Sequence, residues 1–352
     1  MHLRALALCL LLTAPLGAVE SVKWSERLPR DPQWLAGEQG RAIAENLLLY
    51  QYPSGGWPKN VDMAKPLSPS QKAELEERPH DDATIDNGAT TTQTAFLARA
   101  YAATKEERYR AAAERGIDYL LAAQYPNGGW PQYFPIRKGY YTHITFNDDA
   151  MVRVLQVLRA VGEGSDGFAW VDEARRTKAR AAVAKGVECI LKCQVTQNGV
   201  LTAWCAQHDE TTFAPAWARK FEPPSLASRE SSGVVAFLMS VPNPSPEIVR
   251  AVDAAIAWFE KVHVRGIRWT ERPTADGKGM ERFATADPSA PPTWARFYEL
   301  GTDRPIFMGR DSVVHYDVNE IELERRNGYG WYSDQPKSTL KAYRAWKAKQ
   351  KP

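Results

Sequence analysis

The sequence predicts a mainly α-helical fold, an (α/α)3 toroid of repeated helix pairs with an additional irregular, loop-rich part, on three observations. An aromatic loop recurs: Gln51-Tyr52-Pro53-Ser54-Gly55-Gly56-Trp57-Pro58 and Gln124-Tyr125-Pro126-Asn127-Gly128-Gly129-Trp130-Pro131 are nearly the same octapeptide, Gln194 to Trp204 is a looser copy, and Gly266-Ile267-Arg268-Trp269 is a candidate fourth. The successive Trp spacings are 73, 74 and 65 residues, a period longer than the common solenoid repeats. Between the loops, apolar residues recur at helical spacing, and almost no β-alternating run interrupts them. Helix pairs that carry a polar motif at the same end bring those motifs together when the pairs close into a ring.

The elements follow in order. Gly37 to Gln51 carries Ile43, Leu47 and Leu48 at helical spacing and runs into the first loop. Asp62 to Asp82 is charged and reads as irregular. Thr84-Ile85-Asp86-Asn87-Gly88-Ala89-Thr90 precedes good helix formers to Ala103, and Lys105 to Ala123 makes a second helix striped by Ile117, Leu120 and Leu121. The next round pairs Asp148–Val161, with Val154, Leu155 and Leu158 on one face, with Asp172–Cys193. A third runs through Ser228–Val241 and Pro246–Val262 and ends near Trp269. From Thr270 to Ser333 the chain is rich in Pro, Gly, Arg and aromatics with little periodicity. Trp294, Phe297, Tyr298, Ile306, Phe307, Tyr329, Trp331 and Tyr332 give it something to bury, as a lid or second wall needs. Lys337 to Gln350 reads as a last helix.

With 352 residues, 44% hydrophobic and 25% charged, the chain has ample material for a core. Arg4, the apolar run Ala5–Leu12 and the small Gly17 and Ala18 make Met1 to Ala18 a secretory signal, which places the mature protein outside the cell or in the periplasm. The rest, 19–352, reads as a single module, with the toroid over about 35–265 and the irregular part over about 266–335 completing a cleft. No other stretch suits a membrane span. Removing Arg4 leaves 44 basic against 42 acidic residues, +2, so no nucleic-acid footprint shows in the total. Cys189, Cys193 and Cys205 stay in the mature chain, enough for one disulfide such as Cys193–Cys205 in an oxidising compartment. Cys205 and His208 are spaced as zinc ligands but lack a second pair.

Two acidic clusters stand at expected helix starts, Asp86 with Asn87, and Asn147 with Asp148 and Asp149. Helix capping explains one such residue each. Three in a row exceed what a cap needs, and carboxylates gathered from two helices suit a hard cation such as calcium. Arginine is the second theme: Trp217-Ala218-Arg219-Lys220-Phe221-Glu222 and Trp294-Ala295-Arg296-Phe297-Tyr298-Glu299 echo each other, and Arg310 follows. Several Arg forks embedded among aromatics point to a carboxylated ligand rather than to isolated surface ion pairs. Most of the twelve Trp, including Trp57 and Trp130, read as structural plugs, and the remainder offer ring faces to sugars. Gln207-His208-Asp209 is the one histidine segment with the look of a site. No nucleophile elbow, phosphate loop or dinucleotide fingerprint occurs.

Ile85-Asp86-Asn87-Gly88-Ala89-Thr90-Thr91, Thr145-Phe146-Asn147-Asp148-Asp149-Ala150-Met151, Trp217-Ala218-Arg219-Lys220-Phe221-Glu222-Pro223-Pro224-Ser225, Glu230-Ser231-Ser232-Gly233, and Arg296-Phe297-Tyr298-Glu299 with Pro305-Ile306-Phe307 and Arg310-Asp311 together resemble pectate lyases of polysaccharide lyase family 10. The resemblance covers about residues 35 to 335. It implies a secreted enzyme that cleaves polygalacturonate by β-elimination with Ca2+, and an (α/α)3 toroid. It also implies that Arg219 is the base, that Asp86, Asp148 and Asp149 are metal ligands, and that Asn87, Asn147, Lys220, Arg296 and Arg310 bind substrate. The expected partners are polygalacturonate and pectin oligosaccharides, with no nucleic acid and no membrane, and the chain is expected to be a monomer. An arginine base conflicts with the ordinary pKa of guanidinium. Where the family pattern has Ser-Gly-Ser-Glu-Ser, this chain has Ser225-Leu226-Ala227-Ser228-Arg229-Glu230-Ser231, and Arg229 adds a charge. Two other readings stand beside this one: a toroidal glycoside hydrolase using Asp86 and Asp148, and a non-catalytic binder of acidic glycans.

Overall fold

A computed structural model describes residues 22–350; the secretion signal expected at Met1–Ala18 lies outside them. The helices are α1 (Pro32–Ala36), α2 (Glu38–Tyr50), α3 (Pro69–Glu76), α4 (Thr91–Thr104), α5 (Glu107–Ala122) and α6 (Ala150–Glu163). They continue with α7 (Glu173–Cys193), α8 (Ser228–Met239), α9 (Pro246–Val262), α10 (Leu323–Asn327) and α11 (Gln335–Lys349). Their starts follow local chemistry: the Asp172 carboxylate accepts the Arg175 N–H at the head of α7, and Ser245 followed by Pro246 opens α9. Ser68 and Gln71 form a reciprocal capping box with Pro69 in the first turn, so α3 is a helix where the charged stretch Asp62–Asp82 reads as irregular.

The helices form two layers. α1, α4, α6, α8 and α11 pack side by side, and α2, α5, α7 and α9 pack against them from outside. Helices α4 with α5, α6 with α7, and α8 with α9 are three α/α hairpins, the (α/α)3 toroid. Helices α4 and α6 bury residues almost all round, including Phe96, Leu97, Ala98, Met151, Val154 and Leu155, whereas α5 buries only a stripe, as an outer helix does. No helix among the described residues is long and apolar enough to cross a membrane.

The recurring loop is a structural corner built the same way three times. Trp57, Trp130 and Trp204 are fully buried, and each indole N–H donates to the carbonyl of the preceding outer helix, at Leu47, Leu120 and Ile190, all at 2.8 Å. The leading glutamine staples the loop to the next outer helix. Gln51 donates to Gly55 and Ala112, Gln124 to Gly128 and Ala182, and Gln194 to Thr202 and Ala251, at 2.8–3.1 Å. Gly55 (φ 96°) and Gly128 (φ 93°) sit so close to the next helix that a Cβ would meet the carbonyl oxygens of Arg115 and Lys185 at 2.4 and 2.1 Å. The fourth corner is made by Trp294, whose N–H donates to Phe259 O at 2.8 Å, and not by the expected Trp269, which is only half-buried in a strand.

Among the described residues the strands are mostly short. β1 (Ile144–Thr145) pairs β4 (Gln207–His208), and β2 (Thr196–Gln197) pairs β3 (Val200–Leu201). β5 (Leu226–Ala227) begins a four-stranded antiparallel sheet in the order β11 (Val314–His315), β10 (Pro305–Met308), β9 (Phe297–Tyr298), β5. That sheet ties the irregular part to the start of α8. β8 (Trp294–Ala295) pairs β12 (Tyr332–Ser333) ahead of α11. A hairpin of two seven-residue strands, β6 (Ile267–Pro273) with β7 (Met280–Ala286), occupies a region read largely as irregular; both strands are largely exposed, so their alternation is weak. Cys189, Cys193 and Cys205 are free thiols, all buried, and no disulfide joins any two of them.

Candidate active site

The two acidic clusters form a matched pair of 3-10 turns at the heads of α4 and α6. After Ile85 and Phe146 come Asp86 and Asn147, and then Asn87 (φ 52°) and Asp148 (φ 50°), both left-handed. Gly88 (φ 74°) and Asp149 (φ 62°) continue each turn. Asn, Asp and Gly are the residues that tolerate this conformation. Neither α4 nor α6 receives a side-chain cap from these groups, so capping does not account for them. Asp86 and Asn147 therefore hold equivalent positions, as do Asn87 and Asp148.

Both turns face a cavity of about 250 Å3, whose lining includes Asp86, Asn87, Asn147, Asp148 and Arg219. Lys59, Gln132, Gln207, Glu222 and Tyr329 also line it; of these, sequence reasoning singled out Gln207, within the His208 segment, and Tyr329, as an apolar residue of the second wall, and gave Lys59, Gln132 and Glu222 no role. Asp86 is 4% exposed; its Oδ2 accepts from Lys59 Nζ at 2.5 Å and Gln132 Nε2 at 2.7 Å, and its Oδ1 accepts the Asn87 N–H at 3.0 Å. Burial alone would lower the Lys59 pKa, but the hydrogen bond and charge of Asp86 raise it above its ordinary value. Asp148 Oδ2 accepts from Asn147 Nδ2 at 2.8 Å, and its Oδ1 lies 3.2 Å from Arg296 and 3.4 Å from Arg229.

Arg219 stands on the loop after Trp217, with its guanidinium 5.0 Å from the centre of the Phe221 ring. Its fork grips Glu222, Nε to Oε2 at 2.9 Å and Nη2 to Oε1 at 2.5 Å. That pairing raises the Arg219 pKa well above the ordinary guanidinium value. Burial would raise Glu222, but the bonds from Arg219 outweigh it and hold the carboxylate low. The Tyr329 hydroxyl also reaches Glu222, at 3.4 Å.

Four expected site residues are not brought into this cavity. Arg296 is 3% exposed and lies beneath the cleft, paired to Glu230 and Asp148, with its guanidinium 4.5 Å from the Tyr329 ring centre. It braces Asp148 and is absent from the cavity lining that includes Arg219, so the echo between the segments at Trp217 and Trp294 is not a structural equivalence. Asp149 points toward α8, where a Cβ on Gly233 would fall 2.0 Å from its Oδ1. Burial and the charge of Glu230 raise its pKa to about 6. Lys220 is exposed outside the lining. Arg310 is exposed and paired to Glu324 at 2.8 Å, although it packs on the same Phe221 ring at 4.5 Å.

His208 is fully buried and structural: its Nε2 accepts the Cys205 N–H at 3.0 Å and its Nδ1–H donates to Phe213 O at 2.8 Å. With both ring nitrogens used, Cys205 and His208 do not make a zinc pair. Among the described residues the acidic group that gathers closely enough for a metal is His143, Asp209 and Glu210, and not the expected Asp86, Asp148 and Asp149. The cavity nonetheless offers hard oxygen donors. Beside Asp86 and Asp148, the buried amide oxygens of Gln132 and Gln207 accept no hydrogen bond. An oxygen-only set of carboxylates and unsatisfied amides fits calcium rather than a soft metal.

A family model described as pectic acid lyase matches residues 51–340. Among solved structures, the chain is similar to a family 10 polysaccharide lyase from Cellvibrio cellulosa. The TM-score is 0.76 at 34% identity, covering 89% of this chain and 94% of that one. A mutant of the Cellvibrio enzyme in complex with trigalacturonic acid matches with a TM-score of 0.75 at 34% identity, covering 90% of this chain and 98% of the other. No curated protein sequence matched.

Proposed function

This chain belongs to the pectic acid lyases of polysaccharide lyase family 10 and is a pectate lyase, and we propose that it cleaves α-1,4-polygalacturonate by calcium-assisted β-elimination with Arg219 taking the C5 proton. The observation that carries this reading is the meeting of Arg219 with Asp86 and Asp148 in one cavity, three groups separated by up to 133 residues of sequence. The oligogalacturonate bound by the Cellvibrio mutant is the ligand class expected here.

The chemistry sets what each residue must do. Elimination removes the proton on C5, turns that bond pair into the C4–C5 double bond, and expels O4, which takes a proton from solvent. Negative charge builds on the C6 carboxylate as the proton leaves, so cations and oxygen-bound metal near that group lower the barrier. Asp86, Asp148, Asn147 and the amide oxygen of Gln132 would hold Ca2+, which when bound neutralises the sugar carboxylate and acidifies the C5 proton. Lys59, hydrogen-bonded to Asp86, fixes the orientation of that carboxylate in the free enzyme. Arg219 is protonated while it grips Glu222, so in this reading turnover requires that pair to open. Arg325 is positioned to help: burial lowers its pKa, its charge is felt by Glu222, and its buried Nη2 has no hydrogen-bond partner.

The geometry favours elimination over hydrolysis by paired carboxylates, because Asp86 Oδ2 is engaged by Lys59 and Gln132 and Asp148 Oδ1 by Arg229 and Arg296, so neither carboxylate is free to act on a glycosidic oxygen. We also propose that the enzyme acts outside the cytoplasm, on the Met1–Ala18 signal. N-terminal sequencing of the exported protein tests this: a start near residue 19 supports it, and an intact Met1 contradicts it. The activity test is ultraviolet absorbance from the unsaturated product on polygalacturonate, with calcium and with a chelator. A rise abolished by chelation is expected; no rise at any neutral or alkaline pH rejects the reading.

A further inference from the structure

The cleft does not end at Lys59. Beyond it lies a second cavity of about 580 Å3, compared with about 250 Å3 for the first, and the two share Lys59, Asn60 and Asn87 in their walls. The larger one is within the range of about 300–1,000 Å3 usual for small-molecule sites. At the junction Asn87 Nδ2 donates to Asn60 Oδ1 at 2.9 Å.

The charge of this second cavity is uneven in a way the first site does not require. Lys23, Lys59, Lys65 and Arg153 line it against Glu26 and Asp62, four cations to two carboxylates. Glu26 is taken by Arg153, and Asp62 Oδ1 accepts the backbone N–H groups of Trp24 at 2.8 Å and Ala64 at 3.4 Å. Lys59 is taken by Asp86. Lys23 and Lys65 are left, both exposed, with no ion pair among the described residues. Trp24 supplies an aromatic wall, its ring fixed edge-on against Phe96 with centroids 5.7 Å apart. On the same wall Gln93 is 2% exposed and its Oε1 accepts no hydrogen bond. Free ammonium groups, an indole face and an unsatisfied amide acceptor are what a carboxylated sugar engages: carboxylate, ring face and hydroxyl in turn.

We propose that this cavity is a distal subsite that binds a further uronate residue of the polymer whose reacting residue lies against Arg219, with Lys23 and Lys65 meeting its carboxylate and Trp24 its apolar face. The inference rests on the lyase reading above and adds to it: the enzyme discriminates by chain length. Its rate constant for chains long enough to reach past Lys59 exceeds that for short ones, and the excess is sensitive to salt.

The test uses the whole enzyme carrying both Lys23→Glu and Lys65→Glu, exposed positions whose change leaves the thermal unfolding midpoint where it was. On long polygalacturonate kcat/KM should fall roughly tenfold, mostly through KM, as expected for two lost solvent-exposed charge contacts. On trigalacturonate it should change by less than about twofold, because a short chain held at the first site gains little from the second. The double Lys→Arg variant should restore the polymer rate. Equal losses on polymer and trimer, or no loss on either, overturn the subsite. If the wild type turned over neither substrate, the lyase reading would fall by itself. Equilibrium binding of long and short oligogalacturonates would then decide the subsite: a preference for the long chain that the double glutamate variant loses supports it, and equal binding rejects it.

Discussion

Arg296 and Glu230 form an ion pair beneath the cleft, with side chains 3% and 0% exposed, and the Nη2 that grips Glu230 also lies 3.2 Å from Asp148 Oδ1. Burial alone would lower the Arg296 pKa, but the charges of Glu230 and Asp148 hold it above its ordinary value. Breaking such a buried pair from one side leaves the other charge without compensation, at a cost of about 3–5 kcal/mol. Arg296→Met should therefore lower the unfolding free energy by about that much in denaturant titrations and release Asp148 from one of its two arginines. A loss under about 1 kcal/mol would mean that the pair does not brace the site.

The fourth corner gives a direct comparison. Trp294→Ala should cost about 3–5 kcal/mol, as for a large buried aromatic, while Trp269→Ala in the exposed hairpin should cost under about 1 kcal/mol. Equal costs, read from chemical unfolding, would return the corner to Trp269. The misplacement has a physical cause. In the first two repeats the Trp follows its carbonyl partner by ten residues, but the β6–β7 hairpin is inserted between Phe259 and Trp294, so they stand 35 apart.

His208 couples the fold to pH. Burial lowers its pKa to about 4 from an ordinary 6.5, so the folded protein holds it neutral while the unfolded chain protonates below about 6.5. Its stabilising contribution is complete above that value and is lost as pH falls from about 6.5 to about 4, roughly 3 kcal/mol in all. Unfolding free energies at pH 7.5 and 5 should differ less in His208→Gln than in the wild type. An unchanged difference would assign the acid lability to other groups.

What was legible in the sequence divides by range. Asn, Asp and Gly at left-handed positions are local requirements, so Asp86-Asn87 and Asn147-Asp148 stood out, and the structure places both in one cavity. The helices of the three hairpins were legible from apolar period and caps, whereas the short α1, α3 and α10 were not. Lys59 and Gln132 lie 27 and 46 residues from Asp86, and no local pattern announces such partners. Arg219 and Arg296 have similar neighbours in sequence but opposite burial, because β8 and β9 carry Arg296 under the cleft while a loop leaves Arg219 at its edge. Asp149 replaces a glycine in the matched turn and turns away toward Gly233. The run of acids gave no sign of which member would turn away.

Glu222 should set the pH profile. It holds Arg219 protonated, so Glu222→Gln lowers the guanidinium pKa and raises the neutral fraction at any given pH. The rising limb of kcat against pH should move down by roughly one unit, within the range for loss of an adjacent opposite charge. A limb that stays in place, or moves up, would separate the base from this ion pair.

The central claim is that Arg219 removes the proton, and the rate of ultraviolet absorbance increase on polygalacturonate with calcium, for Arg219→Lys against wild type, tests it most directly. Loss of a positioned base predicts a fall of roughly 10²–10⁴-fold with an unchanged unfolding midpoint. Turnover within about tenfold of wild type would contradict the assignment and move the base elsewhere in the cleft.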